Sequence, residues 1–122
     1  MKRIVVVDDD PFVRSSAALY FEGVGWSVRQ ASTVEEARAC FVEPFDALVC
    51  DLHLSGGRVG EGIGVLVEAR RAAPAAVLVL LTGGVAGELG EARPDAVIQK
   101  PVRLRVLVQM IDELGAHKVT PP

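Results

Sequence analysis

The sequence predicts an α/β fold built on a parallel sheet, and three observations carry that prediction. Five short apolar runs, Arg3–Val7, Trp26–Ala31, Ala47–Cys50, Val77–Leu81 and Ala96–Ile98, alternate with segments of helical periodicity. Three of these runs are nearly continuous in Val, Leu or Ile, as expected of parallel strands covered on both faces and joined by right-handed crossovers. Finally, the chain has 122 residues, 50% of them hydrophobic and 24% charged, the size and profile of one globular domain with a proper core.

The elements follow in order. The first strand, "RIVVV", stops at Asp8, Asp9 and Asp10, and Pro11 comes next. Asp10 is placed to cap a helix whose first residue is Pro11. Val13, Ala17, Tyr20 and Val24 recur along that helix at its period, and Gly25 ends it. After the second strand, Ser32 and Glu35 stand at capping-box spacing, with Val34, Ala37 and Phe41 on one face. A third helix spans Gly64–Ala73 and is closed by Pro74. Between the last two strands, "GGVAGELGEARPD" holds four glycines and a proline, so the fourth helix, near Glu88–Ala92, is reduced to a turn or two. The fifth spans Val102–Leu114 and turns Leu104, Leu107, Val108 and Ile111 inward. Periodicity then fades, so residues 1–115 read as the domain and residues 116–122 as a C-terminal tail or the start of a linker.

Composition narrows the function. A net charge of −3 gives no reason to expect direct binding to nucleic acid or an anionic membrane, both of which favour a basic face. No apolar run is long enough to span a bilayer, and the N-terminal one is too short for a signal peptide, so a cytoplasmic location is expected. Cys40 and Cys50 lie in apolar surroundings without a second ligand at metal spacing and read as buried free thiols.

In an open parallel sheet, ligands bind beyond the carboxyl ends of the strands. The residues found there are Asp8, Asp9 and Asp10 after the first run, Asp51 after the third, Thr82 after the fourth, and Lys100-Pro101 after the fifth. Taken singly, the aspartates could be capping or turn residues, Thr82 a strand-end hydroxyl and Lys100 a solvated base. Four strand ends carrying them together favour one site. With the first and third strands as neighbours, Asp8, Asp9 and Asp51 repel one another by about 4 kcal/mol per pair at 4 Å and an effective dielectric near 20. A divalent cation, a lysine or a proton must offset that repulsion, and hard carboxylate oxygens suit Mg²⁺.

"VVVDDDP", "ALVCDLHL", "VLVLLTGG" and "VIQKPV", in that order, resemble the receiver domain of two-component response regulators, over Lys2 to about Leu114. The resemblance implies a flavodoxin-like, doubly wound five-stranded sheet of order 2-1-3-4-5 with five flanking helices, the fourth short. It implies Asp51 as phosphoacceptor, taking a phosphoryl group from a phosphohistidine on a sensor histidine kinase or a histidine phosphotransfer protein. Asp8, Asp9, Asp51 and the backbone carbonyl of His53 would hold Mg²⁺; the His53 side chain is expected to be exposed. Lys100 would pair with the phosphoryl group, the Thr82 hydroxyl would move to bond it, Gly83 would leave that side of the pocket open, and Lys100-Pro101 would be cis. The domain would phosphorylate and dephosphorylate itself without turning over a free substrate.

Three features depart from the family pattern. Ser55 replaces a proline, and "GGRVGEG" lengthens the loop before Gly62, which stands for the family's glycine opening the third helix, as in some receivers attached to hybrid sensor kinases. The Thr82–Lys100 segment is short. Val97 stands where the family often carries Tyr or Phe, so no aromatic rotamer can serve as a switch there. A pseudo-receiver, binding partners independently of phosphorylation, is therefore the alternative function. A phosphatase resembling the haloacid dehalogenases, with its D-x-D pair after the first strand, fits less well, because the acids here are adjacent, no cap domain is expected, and Asp51 is followed two residues on by His53. Phe12, Ser15 and Leu19 on the first helix offer a docking face for the phosphodonor, and Val106 with Met110 on the last offers a homodimer or output contact.

Overall fold

A computed structural model describes residues 2–54, 61–84 and 89–118. Its strands are β1 (Arg3–Val7), β2 (Ser27–Ala31), β3 (Ala47–Asp51), β4 (Val77–Thr82) and β5 (Ala96–Gln99). The helices are α1 (Pro11–Gly23), α2 (Val34–Cys40), α3 (Glu61–Ala72) and α4 (Leu104–Lys118). All strand pairings are parallel, in the order β2-β1-β3-β4-β5. The expected topology holds. No helix among the described residues is long and apolar enough to cross a membrane.

Side chains alternate across β1. Val5 and Val7 enter a core shared with Leu48, Leu66 and Leu78, while Ile4 and Val6 enter a second core with Phe21, Val79, Leu107 and Ile111. Burying each such side chain contributes about 1.5–3 kcal/mol. Two filled faces explain why the strand runs lack polar alternation. They also fix the register that brings the ends of β1 and β3 together, Val7 opposite Cys50.

Several expectations need correction. Among the described residues the helices number four, not five: the fourth segment forms only a 3-10 turn at Gly90–Ala92, while residues 85–88, including Glu88, lie outside the described residues. Arg93 follows in a left-handed conformation (φ 38°). The inward stripe of α1 is Ala17, Ala18 and Phe21; Val13 and Val24 are exposed. The cap of α2 is shifted by one residue: the Thr33 hydroxyl accepts the N–H of Glu36, whose carboxylate accepts the Ser32 N–H and hydroxyl. The α3 helix begins three residues before Gly64, at Glu61. The last helix runs four residues past Leu114, because Gly115 packs beside Val77 and Lys118 pairs with Asp95 at 3.1 Å. Ser55, residues 56–60 and residues 119–122 lie outside the described residues. Cys40 and Cys50 are free thiols, half-buried and buried.

At the amino ends of the strands, Asp95 ties four elements together. It accepts from the Leu78 N–H (2.7 Å), Arg70 (3.0 Å) and Lys118 (3.1 Å). Partial burial pushes its pKa up, but these donors outweigh burial and hold it below the usual carboxylate value. A depressed folded-state pKa stabilises the fold above the unfolded pKa, and that contribution is lost as pH falls through the folded value. Asp95→Asn is therefore expected to cost about 2 kcal/mol at neutral pH and progressively less as falling pH protonates the wild-type carboxyl, measured by urea unfolding across the acid range.

Candidate functional site

The three consecutive aspartates have three different jobs. Asp10 caps α1, its Oδ1 accepting the N–H groups of Phe12 (2.9 Å) and Val13 (3.3 Å), and Pro11 needs no such partner at the first helical position. Asp8 is buried at the end of β1, and its Oδ1 accepts the Asp10 N–H at 2.9 Å. Asp9, half-buried, joins Asp8 and Asp51 in a cluster offering one oxygen each, all within 4.8 Å of one another.

Asp51, the last residue of β3, is 7% exposed and accepts the His53 N–H through Oδ1 at 3.2 Å. The imidazole of His53 is exposed, as expected. From the end of β5, Lys100 reaches across the strand tips to Asp51 Oδ2 (3.0 Å) and Asp8 Oδ2 (3.3 Å). Its peptide bond to Pro101 is cis, and its N–H donates to the Thr82 carbonyl at 2.7 Å. Thr82 is buried, and its hydroxyl both donates to the Gly84 carbonyl (3.1 Å) and accepts the Gly84 N–H (3.2 Å). That hydroxyl is thus engaged with the loop after β4, while the three acids and the lysine meet.

Burial pushes the Asp8 carboxyl above its usual pKa. The Asp10 N–H and Lys100 oppose the shift, and the negative charge of Asp51 adds to it. For Lys100, burial works against the ammonium, but the hydrogen bond to Asp51 and the charges of both acids prevail and raise its pKa. One lysine is thus the counter-charge to three carboxylates. Two unit charges 4.8 Å apart at an effective dielectric near 20 still repel by about 3 kcal/mol. Three hard oxygen donors with unbalanced charge fit a divalent cation of the Mg²⁺ or Ca²⁺ type.

Residues 4–112 match the response regulator receiver domain family. The chain belongs to that family. Among solved structures, a CheY-like receiver domain protein from Methanospirillum hungatei superposes with a TM-score of 0.87 at 31% identity, over 97% of this chain and 96% of that one. The response regulator TrrA from Thermotoga maritima, solved in complex with Mg²⁺ and BeF, gives 0.78 at 27% identity over 93% and 99%. A response regulator from Burkholderia pseudomallei, solved with a phosphorylated aspartic acid, a calcium ion and citrate, gives 0.81 at 25% identity over 98% and 74%. The transcriptional regulatory protein AruR of Pseudomonas aeruginosa is 35% identical over 60 residues, a match spanning 44% of this chain and 25% of AruR.

One residue that shapes the receiver's pocket escaped sequence reasoning. Arg14 donates to the Asp8 carbonyl at 2.8 Å. Its place six residues after Asp8 is a signal only once the angle of α1 against β1 is known. Gly62, expected from the resemblance as the glycine that opens the third helix, does lie at the start of α3, against the Asp51 carbonyl.

Removing the counter-charge has a definite expected cost. Lys100→Ala leaves buried Asp8 and Asp51 facing each other, and should destabilise the metal-free receiver by about 2 kcal/mol, Lys100 being partly exposed. Mg²⁺ should restore part of that loss. Denaturant unfolding with and without Mg²⁺ measures both effects.

Proposed function

We propose that this receiver takes a phosphoryl group onto Asp51 from the phosphohistidine of a sensor histidine kinase or a histidine phosphotransfer protein, and thereby switches a partner-binding surface. The single observation that carries this reading is the convergence of Asp8, Asp9 and Asp51 around one point, with the Lys100 ammonium bonded to two of them. Asp8, Asp9, Asp51 and the backbone carbonyl of His53 would hold Mg²⁺, which when bound neutralises the oxygens of an incoming phosphoryl group.

The remaining work falls to the chain itself. An Asp51 carboxylate oxygen attacks phosphorus, the P–N bond to the donor imidazole breaks, and an acyl phosphate results. Lys100, already bonded to Asp51 Oδ2, is positioned to pair with the transferred group. The Thr82 hydroxyl must leave Gly84 to reach it, which couples arrival of the phosphoryl group to the loop after β4. Hydrolysis of the acyl phosphate returns the carboxylate, so the domain cycles between two forms and consumes no free substrate. We place this cycle in the cytoplasm and assign residues 1–115 to the receiver and 116–122 to a tail or linker, although α4 itself continues to Lys118. Exposed Phe12 and Leu19 on α1 form the donor's docking face, and exposed Val106 with Met110 on α4 a homodimer or output contact.

A second reading draws on two observations. Among the described residues the segment between β4 and β5 forms only the 3-10 turn Gly90–Ala92, and Val97 on β5 has no ring to swing, so the same pocket could serve a pseudo-receiver that binds partners without switching. One experiment separates the readings. Treatment with acetyl phosphate should modify Asp51 only when Mg²⁺ is present, as read by peptide mapping. Amide NMR shifts should then extend from the pocket into β4, β5 and α4. Shifts confined to the acids favour the pseudo-receiver, and an unmodified Asp51 ends the phosphoacceptor proposal.

A further inference from the structure

Asp8 is bonded at every polar atom it has. Its N–H donates to the Ala31 carbonyl (3.1 Å), Oδ1 accepts from the Asp10 N–H (2.9 Å), Oδ2 accepts from Lys100 (3.3 Å), and its own carbonyl accepts from Arg14 Nη1 (2.8 Å). The first three partners come from β2, the cap of α1 and the end of β5. The fourth is a half-buried guanidinium on the first turn of α1. Because a peptide unit is planar, fixing the Asp8 carbonyl also fixes the N–H of Asp9 and the direction in which the chain leaves toward the Asp9 Cα.

We propose that Arg14 is a positioning residue for the divalent-cation site: by clamping the Asp8–Asp9 peptide plane it aims both carboxylates at one point. This rests on the reading of Asp8, Asp9 and Asp51 as a Mg²⁺ site. Arg14 acts through the backbone, contacting neither the cation nor the phosphoryl group. Groups that orient ligands in this way typically change metal affinity by about 10- to 100-fold. A long-range charge effect has the opposite sign. Removing a cation near an acidic pocket should tighten Mg²⁺ binding, whereas releasing the peptide plane should weaken it.

Titration of the unphosphorylated full chain with MgCl₂, followed by amide NMR shifts at Asp9, Asp51 and His53, distinguishes the two. Arg14→Met, which keeps the aliphatic stem, is expected to bind Mg²⁺ about tenfold more weakly than the wild type. Arg14→Lys, with its charge but a single, shorter donor, should fall between them. Equal or tighter binding by Arg14→Met overturns the proposal and leaves the cation site standing. A wild type with no saturable response to Mg²⁺ removes both. A role only in docking α1 would lower metal-free melting temperature without changing the affinity of the folded protein, and that pattern also overturns the proposal. Should Arg14→Met fail to fold, Arg14→Lys decides: several-fold weaker binding supports the clamp, and parity with the wild type refutes it.

Discussion

Asp51→Asn is expected to reduce phosphoryl incorporation from acetyl phosphate to background while leaving the protein folded. The amide is nearly isosteric with the carboxylate but is not a competent nucleophile toward phosphorus. Its oxygen can still accept the His53 N–H that Asp51 Oδ1 accepts at 3.2 Å. The substitution also removes one of three crowded negative charges, and Lys100 keeps Asp8 as its partner. Without Mg²⁺ the variant should therefore melt no lower than the wild type. With Mg²⁺ it should gain less, because the cation loses a charged ligand. Intact-mass measurement after acetyl phosphate treatment, paired with thermal unfolding at zero and saturating Mg²⁺, tests both halves. Incorporation at wild-type levels would move the phosphoacceptor to another residue.

Gly62→Ala is expected to be the most damaging single-methyl change in the described part of the molecule. A Cβ at Gly62 would lie 2.3 Å from the Asp51 carbonyl oxygen, 2.8 Å from the Leu52 Cα and 3.0 Å from the Leu52 carbonyl oxygen. All three atoms belong to the backbone, so no side chain can swing aside, and the start of α3 would have to lift from the end of β3. The Gly62 N–H, which donates to the Leu52 carbonyl at 3.0 Å, would be strained by the same displacement. A loss of about 3 kcal/mol is expected, at the upper end of overpacking costs. Since the contact is with Asp51 itself, Mg²⁺ affinity should weaken as well. Gly64→Ala, two residues further along α3, meets nothing within 4 Å and should stabilise the helix by up to about 1 kcal/mol. Urea unfolding of both variants checks the contrast; similar stabilities for the two would mean that α3 does not pack on β3 as described.

The sheet and its acids were legible because they rest on short-range rules. Strands buried on both faces must be continuously apolar, and Asp8-Asp9 and Asp51 follow such runs directly, whereas Lys100 follows the half-exposed edge strand and was marked by the proline after it. Asp10-Pro11 likewise announced the cap of α1 in its own chemistry. Legibility failed where local signals were degenerate or where a distant contact decided the outcome. Ser32 and Thr33 both make good caps, and the reach of Glu36 selected the second. Val13 satisfies helical spacing yet lies exposed, because α1 buries Ala17, Ala18 and Phe21 instead. The extension of α4 to Lys118 depends on an ion pair with Asp95, 23 residues earlier in the chain, which periodicity cannot express.

The knot at Asp95 sits at the opposite pole from the acids, joining α3 through Arg70, β4 through the Leu78 N–H and the end of α4 through Lys118. Its mechanical meaning is that of a fulcrum. With that pole pinned and the Thr82–Gly84 contact releasable at the other, movement is left to the free end, because β4 is held to β3 as far as Leu81, opposite Asp51. Displacement should then grow along each strand toward its tip and vanish near the pinned end, making the tips of the sheet the moving arm of a lever.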